Sequence, residues 1–240
     1  ASDLLLSVWG PSPEGVPMSS EVMRSLVHAD GLVLGAFDTV GDLVGATVLG
    51  RARAGVAYSY LAGTRPGGTD AGIGFALKQH QRAWALERDI DVIEWTFDPL
   101  VSRNARFNLA KLGAVVRAYE PSFYGRMSDA LNGGDDADRL VASWEIGSER
   151  VVAASEGTVR AGAETPPAEL IENAEAGPDG AAAWIDDDAQ AWCRVPGDIV
   201  ALRAENPALA SEWRMQVREW LAPALGRGLA AVGMSRSGWY

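Results

Sequence analysis

The sequence is poor in the residues that build disulfides and transition-metal sites. Its 240 residues include one cysteine, Cys193, and two histidines, His28 and His80. A lone cysteine excludes an intramolecular disulfide and a cysteine-based zinc cluster. His80 falls in a predicted helix, where a packed or half-exposed histidine is the common case. We therefore expect no bound metal.

Long apolar runs and an excess of positive charge are also absent. No run of 18 apolar residues predicts a transmembrane helix, and no signal peptide is recognisable. The net charge of −11 argues against broad binding to nucleic acid or to an anionic membrane, although it leaves room for a local basic pocket. Together with the single cysteine, these features favour a globular protein of the cytoplasm.

The most informative feature is a glycine-rich join between a strand and a helix. The apolar segment 56–64 predicts a buried strand, and the loop 65–71 has no bulky side chain after Pro66. A helix is predicted to begin near Gly72, and apolar residues fall near one of its faces: Ile73, Ala76, Leu77, Ala83 and Trp84. Such a loop exposes backbone N–H groups at the positive end of a helix, which favours an anion and usually a phosphate.

The remaining pattern predicts a chain of mixed α/β class. Helices are expected at Leu4–Trp9, Glu21–His28, Ser102–Leu112 and Pro207–Leu225, with Ser102 as a cap and Gly113 as a stop. Strands are expected at 32–37, 43–49, 91–97, 114–119, 140–146 and 229–234, within 182–195, and as the start of one at Trp239-Tyr240. A hairpin turn joins the first two strands. Because a helix connects strand 56–64 to strand 91–97, these two strands should be parallel.

The composition divides the chain into three parts. Residues 1–150 are dense in predicted elements and form the expected core. Alanine, glycine, glutamate and proline dominate from Glu156 to Gly180, so we expect a linker or irregular segment over 151–180. Residues 181–240 form the expected C-terminal α/β extension.

This order of elements resembles that of the GNAT acyltransferase superfamily. The superfamily's phosphate motif, Gln/Arg-x-x-Gly-x-Gly/Ala, aligns with Thr69-Asp70-Ala71-Gly72-Ile73-Gly74. Further segments are similar to an uncharacterised GNAT branch of predicted acetyltransferases, and they extend the resemblance over nearly the whole chain: Trp95-Thr96-Phe97-Asp98-Pro99-Leu100, Ser102-Arg103-Asn104-Ala105, residues 111–116, Phe123-Tyr124-Gly125, and Trp213-Arg214 with Arg218. The resemblance implies a GNAT fold, with a mixed central sheet whose parallel strands splay apart.

The resemblance also implies a site for acetyl-CoA or another acyl-CoA. The pyrophosphate of the cofactor would lie on the amides of Gly68, Thr69, Asp70, Ala71, Gly72, Ile73 and Gly74. The pantetheine arm would pair with the backbone of Leu61, Ala62 and Gly63, and Asn104 would contact it. A helix-capping or turn role is the alternative for Asn104.

Two residues depart from the superfamily's motif. Thr69 stands where glutamine or arginine is usual, and Asp70 stands where glycine is common. A carboxylate beside a pyrophosphate lowers affinity unless it points away or is paired. Asp70 either faces solvent, with Gly67 and Gly68 giving the loop its freedom, or the site has lost CoA binding and catalysis.

Acyl transfer requires a neutral amine, donors for the developing oxyanion, and a proton for the leaving thiolate. Glu94 on the central strand is the candidate base, and its alternative is a structural ion pair with an arginine. Tyr124 is the candidate acid, because the helix position where a tyrosine is usual holds Leu109. Tyr58 and Tyr60 are further candidates, and core packing is the alternative for each tyrosine.

The predicted function is transfer of an acyl group, acetyl or succinyl, from CoA to a small-molecule amine, with an amino acid among the candidates. The alternative is a non-catalytic protein that binds CoA or another small molecule on a GNAT scaffold. Arg214 and Arg218 share a helix face, which indicates surface pairs with Glu212 and Glu219 or a clamp for a carboxylate. No nucleic acid or membrane partner is expected, and a homodimer stays open.

Overall fold

The computed structural model describes residues 2–9, 17–65, 67, 72–125, 136–158, 164–187 and 189–240. They form two compact units. The first unit comprises the described residues up to Trp95 together with Glu145–Gly147, and the second comprises the others. The predicted boundaries near residues 150 and 180 stay predictions.

The first unit begins with two short helices, α1 (Ser2–Trp9) and α2 (Ser20–His28). Ser19 caps α2, since its hydroxyl accepts a hydrogen bond from the amide of Val22. Apolar side chains of both helices enter a buried cluster that includes Leu5, Met23 and Val48. The predictions of both helices are confirmed.

A meander of three antiparallel strands follows: β1 (Leu32–Phe37), β2 (Leu43–Arg53) and β3 (Val56–Thr64). The turn between β1 and β2 is set by Asp38, whose carboxylate accepts from the amides of Val40 and Asp42. Gly41 takes the left-handed conformation that this turn requires, with φ of 91°. The predicted hairpin is confirmed.

Helix α3 (Ile73–Leu86) connects β3 to β4 (Val92–Phe97), and the two strands are parallel. The prediction of a helical crossover between parallel strands is confirmed. Strand β4 alternates strictly, because Ile93 and Trp95 are buried whereas Val92 and Glu94 on its other face are only partly buried. The carboxyl ends of β3 and β4 therefore lie at the same edge of the sheet.

The later elements follow in order. They are α4 (Ser102–Arg106), a π-helical turn (Phe107–Lys111), β5 (Val115–Glu120), β6 (Arg139–Glu145), α5 (Glu149–Ser155), α6 (Ala168–Ile171), β7 (Glu175–Ala176), β8 (Ala182–Asp186), β9 (Ala191–Cys193), α7 (Ile199–Glu205) and α8 (Pro207–Gly226). The hydrogen-bonded order of the large sheet is β1-β2-β3-β4-β6-β5, and a small sheet has the order β7-β8-β9. Both parallel and antiparallel neighbours occur in the large sheet, so the predicted mixed sheet is confirmed.

Helix α8 is the long helix that the apolar stripe predicts. Asn206 caps it through a hydrogen bond to the amide of Leu209, and Pro207 occupies its first position. Trp213, Trp220 and Ala224 are buried as predicted, whereas Leu209 is only partly buried. The stripe packs into the core of the second unit.

Several local predictions are wrong. Ser102 does not cap its helix, because the N-cap is Val101 and the Ser102 hydroxyl donates to the carbonyl of Gly197. The segment 229–234 is not a strand, since it forms one isolated bridge between Ala231 and Val116. Trp239 likewise forms a single bridge, to Arg194. The expectation of a linker or irregular segment over 151–180 stays a prediction, and its described residues include the short elements α6 and β7.

Candidate functional site

The amino-terminal end of α3 has the backbone of an anion site. Its N-cap, Gly72, has φ of 76°, and no side chain caps the helix. No acidic residue lies in its first turn. Because the helix is 14 residues long, its dipole places partial positive charge on amides that no side chain neutralises. A Cβ atom added to Gly72 would meet no atom of the described residues within 4 Å, so these residues leave the space beside this helix end open.

Four of the predicted phosphate-binding residues lie outside the described residues. They are Gly68, Thr69, Asp70 and Ala71, and their roles stay predictions. The flanking Gly67 is described, with φ of 84° and no atom within 4 Å of an added Cβ. Gly72, Ile73 and Gly74 form the described part of the predicted loop.

The parallel pairing of strands β3 and β4 ends after three residue pairs, and the two strands then diverge. In the described part of the chain their register ends at Tyr58 opposite Glu94. Beyond that point β3 continues to Thr64, and the pairs recorded for its residues 59–64 are with β2 alone. Among the described residues, the strand pairs of Leu61, Ala62 and Gly63 are therefore with β2, and none is with β4. This is the divergence that the resemblance implies for the pantetheine arm.

Glu94 forms a two-pronged ion pair on the partly buried face of β4. Arg53 donates to its two carboxylate oxygens at 2.7 and 2.9 Å. The Glu94 side chain is 21 % exposed and that of Arg53 is 61 % exposed. The hydrogen bond to Glu94 raises the pKa of Arg53. The ion pair with an arginine that was the alternative for Glu94 is thus present. If Glu94 acts as a base, it does so while it is bound to Arg53.

Tyr124 lies in a turn and is half exposed. Its hydroxyl is 3.2 Å from the hydroxyl of Thr96. The ring of Phe123 meets the Tyr124 ring edge-on, and the guanidinium of Arg139 lies 5.3 Å from the centre of that ring. These contacts hold a tyrosine hydroxyl at the end of β4, since Thr96 is the fifth of its six residues.

The other predicted residues have ordinary structural surroundings. Tyr58 and Tyr60 contact each other edge-on with ring centres 5.2 Å apart. Asn104 is an exposed residue inside α4, where its amide oxygen accepts a hydrogen bond from Asn108 at 3.4 Å. A capping role for Asn104 is therefore wrong. Leu109 is fully buried.

A buried polar cluster beside the strand divergence was not predicted. It contains Thr47 of β2, Ser59 of β3, and Lys78 and Gln81 of α3, all of them at most 5 % exposed. A helical projection of α3 would have predicted this cluster. Lys78 and Gln81 lie among Leu77, Trp84 and Ala85 in the buried stripe of α3, where a polar residue needs a partner.

The arginines of α8 bind carboxylates inside the second unit. Arg214 is 1 % exposed and donates to both oxygens of Asp98 at 2.8 Å. Arg218 donates to both oxygens of Asp138 at 2.6 and 2.8 Å. The prediction that Arg214 forms a surface pair with Glu212 is wrong. Both arginines act as carboxylate clamps, and the carboxylates belong to the chain itself.

The described residues contain neither a cluster of metal ligands nor a helix that could span a membrane. They contain no group of three or more histidine, cysteine, aspartate or glutamate side chains that could hold a metal ion. Among the described helices, none is long and apolar enough to cross a bilayer.

Comparison with solved structures finds GNAT acetyltransferases. One is the IAA acetyltransferase from Bacillus cereus, at 19 % identity, covering 60 % of this chain and 90 % of that one with a TM-score of 0.46. Another is a GNAT-family acetyltransferase from Elizabethkingia anophelis with acetyl-CoA bound, at 17 % identity, covering 60 % of this chain and 88 % of that one, also with a TM-score of 0.46. Neither a family model nor a curated protein sequence matches this chain.

Proposed function

We propose that the chain is an acyl-CoA-dependent N-acyltransferase acting on a small-molecule amine. The observation that carries this proposal is the combination of two features at one edge of the first unit. Strand β3 leaves its parallel neighbour after Tyr58, and the next helix begins with an uncapped amino terminus at Gly72. The first feature supplies unpaired backbone for an amide-containing arm, and the second attracts phosphate.

The described residues fit an acyl-CoA. The amides at Gly72, Ile73 and Gly74 would hold the pyrophosphate, since among the described residues no side chain caps this helix and no acidic residue lies in its first turn. Gly68, Thr69, Asp70 and Ala71 would complete that contact. The unpaired edge of Leu61, Ala62 and Gly63 would hydrogen-bond the pantetheine arm, and Asn104 would contact it. When bound, the acyl-CoA supplies an activated acyl group as a thioester.

The proposed chemistry is direct transfer to an amine. Glu94 would take the proton of the attacking amine, directly or through a water molecule, and Tyr124 would give a proton to the departing sulfur. Arg53 fixes the direction of the Glu94 carboxylate through two hydrogen bonds. An acetyl and a succinyl group remain the candidate acyl groups, and an amino acid remains a candidate acceptor.

A non-catalytic CoA-binding protein is the second candidate, and the Arg53–Glu94 pair favours it. Two hydrogen bonds already occupy both oxygens of the proposed base. A carboxylate that is bound in this way also serves as a purely structural ion pair. Turnover with a panel of amines separates the two candidates, because only an enzyme releases free CoA when an amine is added.

Calorimetric titration with CoA, acetyl-CoA and succinyl-CoA tests the binding site. Gly72→Glu should abolish binding, because it adds a carboxylate where the phosphate would lie. Gly41→Glu is the matched control. Gly41 is also a left-handed glycine with open space around its Cβ position, but it lies in the β1–β2 turn. Equal loss of affinity in both variants, or no binding of CoA at millimolar concentration by the unmodified chain, would overturn the proposal.

A further inference from the structure

A lysine is buried in the first unit without a carboxylate partner among the described residues. Lys78 is 4 % exposed, and its ammonium nitrogen lies 3.0 Å from the Ser59 hydroxyl oxygen and 3.7 Å from the centre of the Trp95 ring. Transfer of a charged amine out of water is costly unless it is compensated, so this arrangement requires an explanation. One hydroxyl and one aromatic face are modest compensation.

In this cluster the polar groups of α3 donate to the oxygens of the strands. The carbonyl of Leu61 can only accept, so the hydroxyl of Thr47 donates to it at 2.8 Å. The amide nitrogen of Gln81 donates to the Thr47 oxygen at 2.5 Å. That same nitrogen lies 3.0 Å from the Ser59 oxygen, and it again donates. Ser59 therefore accepts from Gln81 on one side.

Ser59 also accepts from Lys78 whenever the lysine is charged, because an ammonium group has no acceptor. Two donors then occupy the Ser59 oxygen, and its own hydrogen has no acceptor among the described residues. The amide oxygen of Gln81 is also buried and has no hydrogen-bond partner in the described structure. Buried polar groups normally have hydrogen-bond partners. The Ser59 hydrogen and the Gln81 amide oxygen are therefore available to a further group.

Ser59 lies at the point where β3 and β4 separate. The last parallel pair is Tyr58 opposite Glu94, and Ser59 and Trp95 are the residues that directly follow on the two strands. Lys78 thus contacts both strands where they separate. Because side chains alternate along a strand, Ser59 lies on the opposite face of the sheet from Tyr58, and Trp95 from Glu94. The cluster and the candidate base are on opposite faces of the same separation point.

We propose that Ser59 is the side-chain donor that stabilises negative charge developing on the acyl carbonyl oxygen, and that Lys78 positions it. This inference rests on the proposed function and assigns the one chemical requirement that Glu94 and Tyr124 leave unmet. Charged Lys78 occupies a lone pair of Ser59 and so directs the serine hydrogen away from α3. It also strengthens that hydrogen as a donor, because a hydroxyl that accepts from a cation donates more strongly.

The same geometry makes the donor depend on pH. Lys78 contacts Ser59 of β3 and Trp95 of β4, and Ser59 in turn binds Gln81 of α3, which binds Thr47 of β2; none of these groups is charged, and His80 of α3 is exposed. The charged side chains of these elements have other partners: Arg51 binds Asp30, Arg53 binds Glu94, and Arg82 binds the Ile146 carbonyl. Burial lowers the pKa of Lys78 to about 7. Once neutral, Lys78 can accept the Ser59 hydrogen, and the donor is withdrawn.

Infrared difference spectroscopy of bound acetyl-CoA, labelled with carbon-13 at the carbonyl, tests this inference. Binding is first established by calorimetry. In the unmodified protein the carbonyl stretching frequency should be lower than in water, and Ser59→Ala and Lys78→Met should each return it toward the value in water. Turnover of Ser59→Ala should fall about a hundredfold, the usual scale for the loss of one such donor. Thr47→Val is the packing control, and it should retain the low frequency.

If a variant does not fold, the inference can still be tested by measuring the carbonyl stretching frequency in the unmodified protein as a function of pH. Between pH 6 and 9 the frequency should rise to that of Ser59→Ala, with the midpoint near pH 7. A frequency that equals the value in water, is independent of pH, or shifts as much in Thr47→Val would overturn the inference and leave the proposed function intact. Absence of acetyl-CoA binding by the unmodified protein would overturn both.

Discussion

Arg214 donates two hydrogen bonds of 2.8 Å to Asp98, one to each carboxylate oxygen. Arg203 donates a third, also at 2.8 Å, to one of the same oxygens. The side chains of Asp98, Arg203 and Arg214 are all less than 10 % exposed. Asp98 directly follows β4, so one carboxylate at the end of a central strand joins α7 and α8 to the core of the second unit.

Removal of this carboxylate should be strongly destabilising. Asp98→Asn removes the charge of a buried carboxylate that accepts from two buried guanidinium groups, and we expect the free energy of unfolding to fall by about 3–5 kcal/mol. Urea denaturation measures the change. Asp30→Asn is the control, because Asp30 pairs with Arg51 while 58 % exposed, and its loss should cost far less stability than that of Asp98. Equal effects in the two variants would contradict the argument.

The same cluster predicts a particular acid sensitivity. Burial alone would raise the pKa of Asp98, but the hydrogen bonds and charges of Arg214 and Arg203 lower it to about 2. A carboxyl whose pKa is lower in the folded state stabilises the fold above its unfolded pKa and loses that contribution as pH falls. Stability measured by denaturation should therefore decline between about pH 4 and pH 2. In Asp98→Asn this part of the decline should be missing.

Lys78 predicts a second gain of stability with rising pH, in a higher pH range. Its pKa falls from an ordinary value of 10.5 to about 7 through burial, so the unfolded chain binds the proton more tightly than the folded chain. Stability is penalised fully below pH 7 and recovers as pH rises toward 10. Relative to Lys78→Met, the unmodified protein should gain up to about 1.4 kcal/mol of unfolding free energy per pH unit in that range.

The control for this measurement is Lys111→Met, which replaces an exposed lysine and should leave the slope unchanged. At pH 6 Lys78→Met should be more stable than the unmodified protein, since it removes a buried charge that has no carboxylate partner among the described residues. Parallel stability curves for the unmodified protein and Lys78→Met would show that the lysine titrates normally in the folded state.

Much of the fold was predictable because the local signals agree with one another. The strands at 32–37 and 56–64 have the predicted bounds, since turn residues frame each apolar run. The segment 229–234 is apolar in composition, yet its hydrogen bonds to β5 are limited to the bridge at Ala231. Apolar composition alone does not distinguish a strand from an apolar segment that packs without a ladder.

The chemistry of the site was less predictable, because it depends on contacts between distant segments. The partner of Glu94 was expected to be an arginine, but nothing local to β4 identifies Arg53, which is 41 residues earlier. Arg214 and Arg218 have glutamates as close sequence neighbours, whereas their partners are aspartates from before α4 and before β6. Local charge spacing predicts surface pairs and cannot identify partners that only the fold brings near.

Substitution of Glu94 and Tyr124 tests the proposed chemistry. Glu94→Gln should lower turnover about a hundredfold or more, the usual scale for a general base, while CoA affinity stays nearly unchanged. Tyr124→Phe should lower turnover similarly with little effect on folding, since the ring contacts with Phe123 and Arg139 remain. Initial rates and calorimetry measure the two quantities. Full turnover in both variants would exclude these roles for Glu94 and Tyr124 and leave Tyr58 and Tyr60 as the candidate acids.

Arg53→Gln separates the roles of the Glu94 ion pair. If Arg53 only orients the base, its loss should lower turnover less than the loss of Glu94 does. The variant should cost little stability, because Arg53 is 61 % exposed and exposed ion pairs contribute little. A loss of turnover equal to that of Glu94→Gln would mean that the pair acts as one unit.

Asp70 provides the last prediction, at the loop before α3. If the loop receives a pyrophosphate, a carboxylate there repels it, so Asp70→Gly should tighten CoA binding by a free energy on the order of 1 kcal/mol, the scale for one partly screened like charge. Calorimetry measures the change, and its size should decrease with added salt. Asp89→Gly is the control, because it removes the same charge and introduces the same residue at the other end of α3, in an exposed turn. It should leave CoA affinity unchanged. A clear loss of affinity in Asp70→Gly alone would mean instead that Asp70 contacts the ligand or organises the loop.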